Sequence, residues 1–304
     1  MSQVQIVEVG LRDGLQNESV HLSVDQRFEI LKSLAHAGLK RIEVGAFVRS
    51  DKVPQMAGTA ELLELAQKFK KENKKFRDLK YSVLVPNLRG WEEAENLNPD
   101  EVALFASSTE SFSQKNINCS IQESLERFAP VIAKAKKKKI KVRGYLSVCF
   151  GCPFEGKVPE KNVIKLVDQM FKMKVDEVSI GDTIGVADAG QVKSLFKKLK
   201  NKHPIKKLAG HFHDTRGQAL VNIMAAYDLG VRIFDSSIGG LGGCPYAPGA
   251  TGNVSTENVL YLMNGLKAKT GVEIQPLIEL NHQIGNWMSK SLPSQVSRAG
   301  LLKV

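Results

Sequence analysis

Two histidines stand two residues apart in KLAGHFHD, His211 and His213. On a strand, that spacing turns both imidazoles to one face. An HxH alone is more often structural than ligating. Further along is GGLGGCPYAPGATGN with Asn253, and near the start is GLRDGLQNE with Asp13. Two imidazoles, one carboxylate and one amide oxygen suit a borderline-hard divalent cation with coordination positions left open. Arg12, beside Asp13, would make only a weak ion pair at a surface. Successive residues at a strand end point in different directions, so Asp13 is expected to face the cation and Arg12 the substrate. Glu43, in an apolar run, needs a partner if buried, and Arg12 is the natural one. Arg143 and Asp182 are each readable as substrate contacts or as an interior salt link.

The cysteines divide. Cys149 and Cys152 form a single CxxC at a strand end, which is poor support for redox or zinc chemistry; Cys119 stands apart. Cys244 lies among Gly239, Gly240, Gly242, Gly243, Gly249 and Gly252. That composition suits a mobile lid carrying a reactive thiol. A phosphate-cradling loop is the other reading.

These residues need a scaffold that gathers segments far apart in the chain. Eight β-branched runs recur, at 4–9, 41–47, 80–85, 101–106, 140–148, 176–181, 207–213 and 232–238. Helical periodicity fills the gaps: Leu31, Leu34 and Ala35 share one face, as do Leu62, Leu63, Ala66 and Phe69, and Leu125, Phe128, Ile132 and Ala135. Ser23, Asn87 and Thr256 read as N-caps. Eight strand–helix units predict a (β/α)8 TIM barrel over residues 1–270, with 271–304 as a helical extension packed on it. A doubly wound sheet fits less well, because the glycine-rich dinucleotide turn after the first strand is missing. In a barrel the chemistry sits at the carboxyl ends of the strands, where Arg12, Asp13, Glu43, Arg143, Tyr145, Asp182, His211, His213 and Asn253 all fall.

The 304 residues carry a net charge of +11. The lysine run at 136–139 and the KK pairs at 70–71, 74–75, 197–198 and 206–207 are expected to cover helix faces exposed to solvent. No nucleic-acid motif accompanies them, so no nucleic-acid partner is expected, though a positive surface would attract a small polyanion. No signal segment or membrane span is expected, and four cysteines in a chain this long point to a reduced cytoplasmic setting.

The segments VEVGLRDGLQNE, KVPQMAG, VLVPNLRGWEEA, FSQKNINCSIQES, RGYLSVCFGCPFEGKV, SIGDTIGV, HFHDTRGQALVNI and GLGGCPYAPGATGNVSTEN occur in that order. Together they resemble, nearly end to end, the 3-hydroxy-3-methylglutaryl-CoA lyases of the DRE-type TIM-barrel metallolyase family. The resemblance implies retro-Claisen cleavage of a CoA thioester to acetyl-CoA and acetoacetate, Mg2+ or Mn2+ as cofactor, and a homodimer. It implies Asp13, His211, His213 and Asn253 as ligands. Catalytic roles fall to Arg12, Asp13, Glu43, His211 and Cys244, and substrate contacts to Arg12, Gln16, Arg143, Tyr145 and Asp182. A Claisen-type synthase would share most of these residues; the cysteine loop favours the lyase. An iron oxygenase or a basic, non-enzymatic binding barrel explains less. The chain departs from the family pattern at Leu11 (usually proline), at Arg216 (usually tyrosine), in RSDKVPQM, and in a carboxyl end, SRAGLLKV, without cysteine.

Overall fold

The computed structural model describes residues 3–243 and 252–302. Eight parallel strands close into a barrel: β1 Gln5–Glu8, β2 Arg41–Ala46, β3 Lys80–Leu84, β4 Glu101–Ser107, β5 Lys141–Ser147, β6 Glu177–Asp182, β7 Leu208–Phe212 and β8 Ile233–Ser236. Each strand pairs with its sequence neighbours, and β1 pairs with β8 through Gln5–Ile233 to Glu8–Ser236, which closes the ring. This is the (β/α)8 barrel expected from the sequence. Each strand is buried on both faces, so its sequence reads as a continuous apolar run rather than an alternation.

The outer ring includes α1 Val24–His36, α2 Thr59–Glu72, α3 Leu88–Ala94, α4 Glu110–Ile117, α5 Ile121–Lys137, α6 Glu160–Lys172, α7 Ala189–Lys200, α8 Ala219–Asp228 and α9 Thr256–Gly265. Their apolar stripes face the strands: Leu31, Leu34 and Ala35, then Leu62, Leu63 and Ala66, then Leu125, Phe128, Ile132 and Ala135 are all buried. Ser23 caps α1 in a reciprocal capping box with Gln26, and Asn87 caps α3 by accepting from Gly90 N, each offsetting an orphan donor of the first turn. The third cap is one residue earlier than the sequence suggests. Ser255 accepts from Asn258 N, while the Thr256 hydroxyl donates to buried Glu8 at 2.6 Å. A buried carboxylate without donors is costly, and that need claims the threonine.

Beyond the ring, α10 Gln275–Met288 packs on α1 and α11 Gln295–Ala299 packs on α9. Leu277, Leu280 and Ile284 of α10 are buried, so this segment completes the barrel's outer wall beside its first and last helices.

Candidate active site

Glu8 ends β1, and the chain then makes one wide turn of π-helix over Gly10–Gly14. That turn aims Arg12 and Asp13 into the carboxyl mouth of the barrel. Arg12 Nε donates to Glu43 Oε2 at 2.8 Å, the partnership expected of a buried glutamate on the neighbouring strand. Arg12 Nη1 also donates to Asp13 Oδ1 at 2.7 Å. The adjacent ion pair set aside on directional grounds therefore forms, because the wide turn, unlike an extended strand end, brings successive side chains together. It is largely buried rather than a surface pair. Strand β2 carries an irregularity between Glu43 and Gly45, and such a bulge re-aims a side chain beside a site.

Asp13 divides its oxygens. Oδ1 holds Arg12, while Oδ2 lies 3.8 Å from His211 Nε2 and 3.8 Å from His213 Nε2. Burial works against ionisation of Asp13, but Arg12, His213 and His211 outweigh it and hold its carboxyl well below the usual carboxylate range. Burial raises Glu43, with Arg12 opposing. The Asp13, His211 and His213 donor atoms all lie within 4.8 Å of one another. His213 pairs through its backbone with Asn253, which brings that amide to the cluster. Asn253 Nδ2, rather than Oδ1, faces Asp13 Oδ2 at 2.8 Å and the Leu241 carbonyl at 3.3 Å. A half-turn of the amide would present the oxygen instead, at the cost of the bonds to Asp13 and Leu241.

His211 is fixed from behind by Asp235, a residue sequence reasoning passed over. His211 Nδ1 lies 3.2 Å from Asp235 Oδ2, and Asp235 accepts from Ser179 Oγ and Arg143 Nη2, each at 2.7 Å. Burial opposes the Asp235 charge, but Arg143 and His211 hold its pKa well down. The missed signal was an acid in the apolar run RIFDSSI, the argument already applied to Glu43. Arg143 is the interior salt link of the two readings: it is fully buried, pairs with Glu177 at 2.6 Å and Asp235 at 2.7 Å, and does not line the cavity. Asp182 is also off the cavity wall and makes no such link among the described residues. Its oxygens accept from Val186 N and Ala187 N at 2.9 and 3.0 Å, shaping the loop after β6.

A cavity of about 280 Å3 opens beside the cluster. Its polar lining includes Arg12, Asp13, Gln16, Tyr145, His211 and His213, and its apolar lining Val48, Val53, Leu84, Pro86, Phe105 and Phe112. The Tyr145 ring lies between two guanidiniums, 5.2 Å from Arg12 and 4.8 Å from Arg143, and its hydroxyl donates to Glu43 at 3.2 Å. Asn17, Asn116 and Thr183 also reach the cavity without having been singled out. Cys149 and Cys152 do not. Both are buried, against Ser108 and Thr109 respectively, and burial pushes the Cys149 thiol up to about 12, which fits packing rather than redox chemistry. Of the departures from the family pattern, Leu11 and Arg216 lie off the wall, while Val53 in RSDKVPQM is on it. Arg216 donates to the carbonyls of Ile184 and Gly185. Cys244 lies outside the described residues. The stems of its loop meet tightly at Gly242 (φ +129°) and Gly252 (φ +91°), where a Cβ on Gly252 would come within 2.3 Å of the Gly242 carbonyl.

The HMGL-like family model matches residues 3–284. The chain belongs to that family. It is 47% identical over 302 residues to the 3-hydroxy-3-isohexenylglutaryl-CoA/hydroxy-methylglutaryl-CoA lyase of Pseudomonas aeruginosa, covering 99% of this chain and 98% of that one. A crystal structure of hydroxymethylglutaryl-CoA lyase from Pseudomonas aeruginosa superposes with a TM-score of 0.92 at 46% identity, covering 98% of this chain and 97% of that one. An HMG-CoA lyase from Acinetobacter baumannii, solved in complex with coenzyme A and 3-methylmalate, gives 0.92 at 32% identity, covering 99% and 96%. Within this family frame, Asp13, His211 and His213 form the metal-compatible cluster at the mouth. No described helix is long and apolar enough to cross a membrane.

Proposed function

We propose that this chain cleaves 3-hydroxy-3-methylglutaryl-CoA to acetyl-CoA and acetoacetate. The observation that carries the proposal is the convergence of Asp13, His211 and His213 with Arg12 on one cavity, in a chain whose full-length relative bears a lyase name. Asp13, His211 and His213, with Asn253 after its amide turns, would hold a divalent cation, and their mixed oxygen and nitrogen donors suit Mg2+ or Mn2+. Such a cation supplies positive charge that acidifies a nearby hydroxyl and polarises oxygen.

The chain's own residues do the rest. The tertiary hydroxyl gives up its proton at the edge of the Asp13–His211–His213 cluster and becomes the ketone of acetoacetate. The C2–C3 bond breaks, and its electron pair stays on C2, delocalised onto the thioester oxygen as an enolate. Arg12, held by Glu43 and Asp13, is already oriented when that charge develops, so little reorganisation is needed at the moment of reaction. A proton delivered to the enolate carbon completes acetyl-CoA, and Cys244 is the proposed donor. Gln16 and Tyr145 would position the acyl chain, while Arg143 and Asp182 support the site from behind the wall. The lysine-rich surface would favour the approach of the anionic thioester.

A second acyl group is favoured by the apolar wall of Val48, Val53, Leu84, Pro86, Phe105 and Phe112, which could bury a longer branch at C3. Competition between methyl and isohexenyl thioesters would rank the two. We read the assembly as a homodimer, on the family resemblance alone. We place the enzyme in the cytoplasm, a reduced setting that suits the buried free thiols of Cys119, Cys149 and Cys152.

The deciding experiment is acetyl-CoA release from 3-hydroxy-3-methylglutaryl-CoA before and after chelation, with Mg2+ or Mn2+ restored. Release is expected to stop and return. Full activity in excess chelator would overturn the metal reading, and no release under any condition would overturn the lyase reading.

A further inference from the structure

At the opposite end of the barrel, the first residues of the strands frame a second concavity of about 890 Å3. Its wall carries eight basic and five acidic side chains. The acids are mostly committed. Asp100 is held by Lys70 and Lys80, Glu101 by Arg41, Glu177 by Arg41 and Arg143, and Asp176 by Lys136. Lys70, Lys136 and Arg143 stand behind this wall rather than on it, so acids facing the concavity are neutralised from outside. Lys40, Lys139, Lys141, Lys206 and Lys207 are left exposed on the wall, with no ion pair among the described residues. Asp78 is the counter-charge that remains.

The lysines come from three separated segments: before β2, around the start of β5 and before β7. Barrel closure brings them to one rim. A concave surface with a net charge of one sign focuses its field and concentrates counter-ions. A cavity of this size falls within the roughly 300–1,000 Å3 of small-molecule sites. A nucleic-acid duplex presents a convex cylinder and would need an extended stripe, whereas these charges ring a hollow. Lysine ammoniums act as point charges towards phosphate and demand no planar pairing geometry.

We propose that the amino-terminal mouth of the barrel is a binding site for a compact polyphosphate anion, separate from the catalytic mouth. The anion could be free polyphosphate or the phosphate chain of a nucleotide. Titration calorimetry with inorganic tripolyphosphate and with ATP distinguishes the two: equal affinities mean that only the phosphates are read, and tighter ATP binding means a nucleotide. Lys139→Glu/Lys206→Glu/Lys207→Glu should weaken either ligand by at least roughly tenfold while leaving lyase turnover within about twofold, as expected for a field acting at one mouth. Raising salt from about 50 to about 300 mM should weaken wild-type binding severalfold. Arg12→Gln should leave the affinity unchanged. If the triple reversal does not fold, Lys139→Gln/Lys206→Gln tests the same site and should weaken binding by about threefold. Absence of saturable binding overturns the proposal. So does an affinity untouched by the lysine changes, one lost with Arg12→Gln, or tighter capture of a short RNA than of tripolyphosphate.

Discussion

Arg12 bonds to two carboxylates and stacks on a tyrosine, so its guanidinium has little freedom left to lose. A donor fixed before charge develops contributes most in the transition state, and removing one costs about 3–4 kcal/mol, or roughly a hundred- to a thousandfold in turnover. Arg12→Gln should therefore lower kcat by that factor with KM moving much less; near-native kcat would reduce Arg12 to a packing cation. Asp235 acts through another residue. By accepting from His211 Nδ1 it leaves Nε2 free towards Asp13, and such outer partners are worth about 10–100-fold in metal affinity. Asp235→Asn should show that loss in Mn2+ binding measured by calorimetry, whatever happens to turnover. Unchanged Mn2+ affinity would assign Asp235 to the core salt network alone. The cysteines allow a contrast: Cys119, Cys149 and Cys152 are buried, so alkylation of the native protein should fall on Cys244 and be slowed by a bound substrate analogue. Rapid labelling of the buried three, with Cys244 spared, would remove the thiol from the proposed mechanism.

At the scale of elements, the turn after β8 is tied down by two buried acids. Glu8 accepts from Gly10 N, Ile238 N and the Thr256 hydroxyl, and Glu257 accepts from Gly239 N, Asn281 and Ser297. Together they anchor the stem from which the glycine loop departs. Burial pushes Glu8 up to about 7, with Thr256 and the two backbone donors opposing. A carboxyl raised in the folded state binds its proton more tightly there than in the unfolded chain. Its contribution is thus present below its unfolded value of 4.5 and is lost as pH rises through about 7. Urea melts of wild type and Glu8→Gln should diverge across that window, the wild type losing stability with rising pH and the glutamine variant losing less. Parallel pH profiles would mean that Glu8 stays ionised on its donors. Gly45 marks the other constrained element: a Cβ there would meet Thr59 Oγ1 at 2.5 Å, close enough to disturb the strand that carries Glu43.

For the molecule as a whole, a cation that binds the folded state and not the unfolded one stabilises it by mass action, about 2.7 kcal/mol at a hundredfold excess over Kd. In a chain of 304 residues, that should raise Tm by about 4 °C, roughly 1.5 °C per kcal/mol. Scanning with Mg2+ or Mn2+, and again with chelator, should show the rise and its reversal, and Asp13→Ala should abolish it. A Tm indifferent to both would leave the cluster without a cation. Charge behaves differently at this scale than along the chain. Lys197 and Lys198 lie on α7, facing solvent as read, but Lys139, Lys206 and Lys207 line the barrel's amino-terminal mouth.

The barrel was legible in the chain alone, because fully buried parallel strands must read as short apolar runs and the helices between them as amphipathic stripes. The chain also placed Arg12, Asp13, His211 and His213 at one mouth, where they line one cavity, since strand ends are where a barrel displays side chains. The Arg12–Glu43 pairing was legible for the same reason that Asp235 should have been: an acid in an apolar strand requires a partner. How the partners are shared emerges only when the chain folds. Arg143 serves Asp235 and Glu177 instead of the cavity, Asp182 serves a loop, and Thr256 gives up its capping role to satisfy Glu8. Such choices depend on which donor lies within about 3 Å of which acceptor. No period in the chain encodes that distance; it is set when eight strands close into one ring.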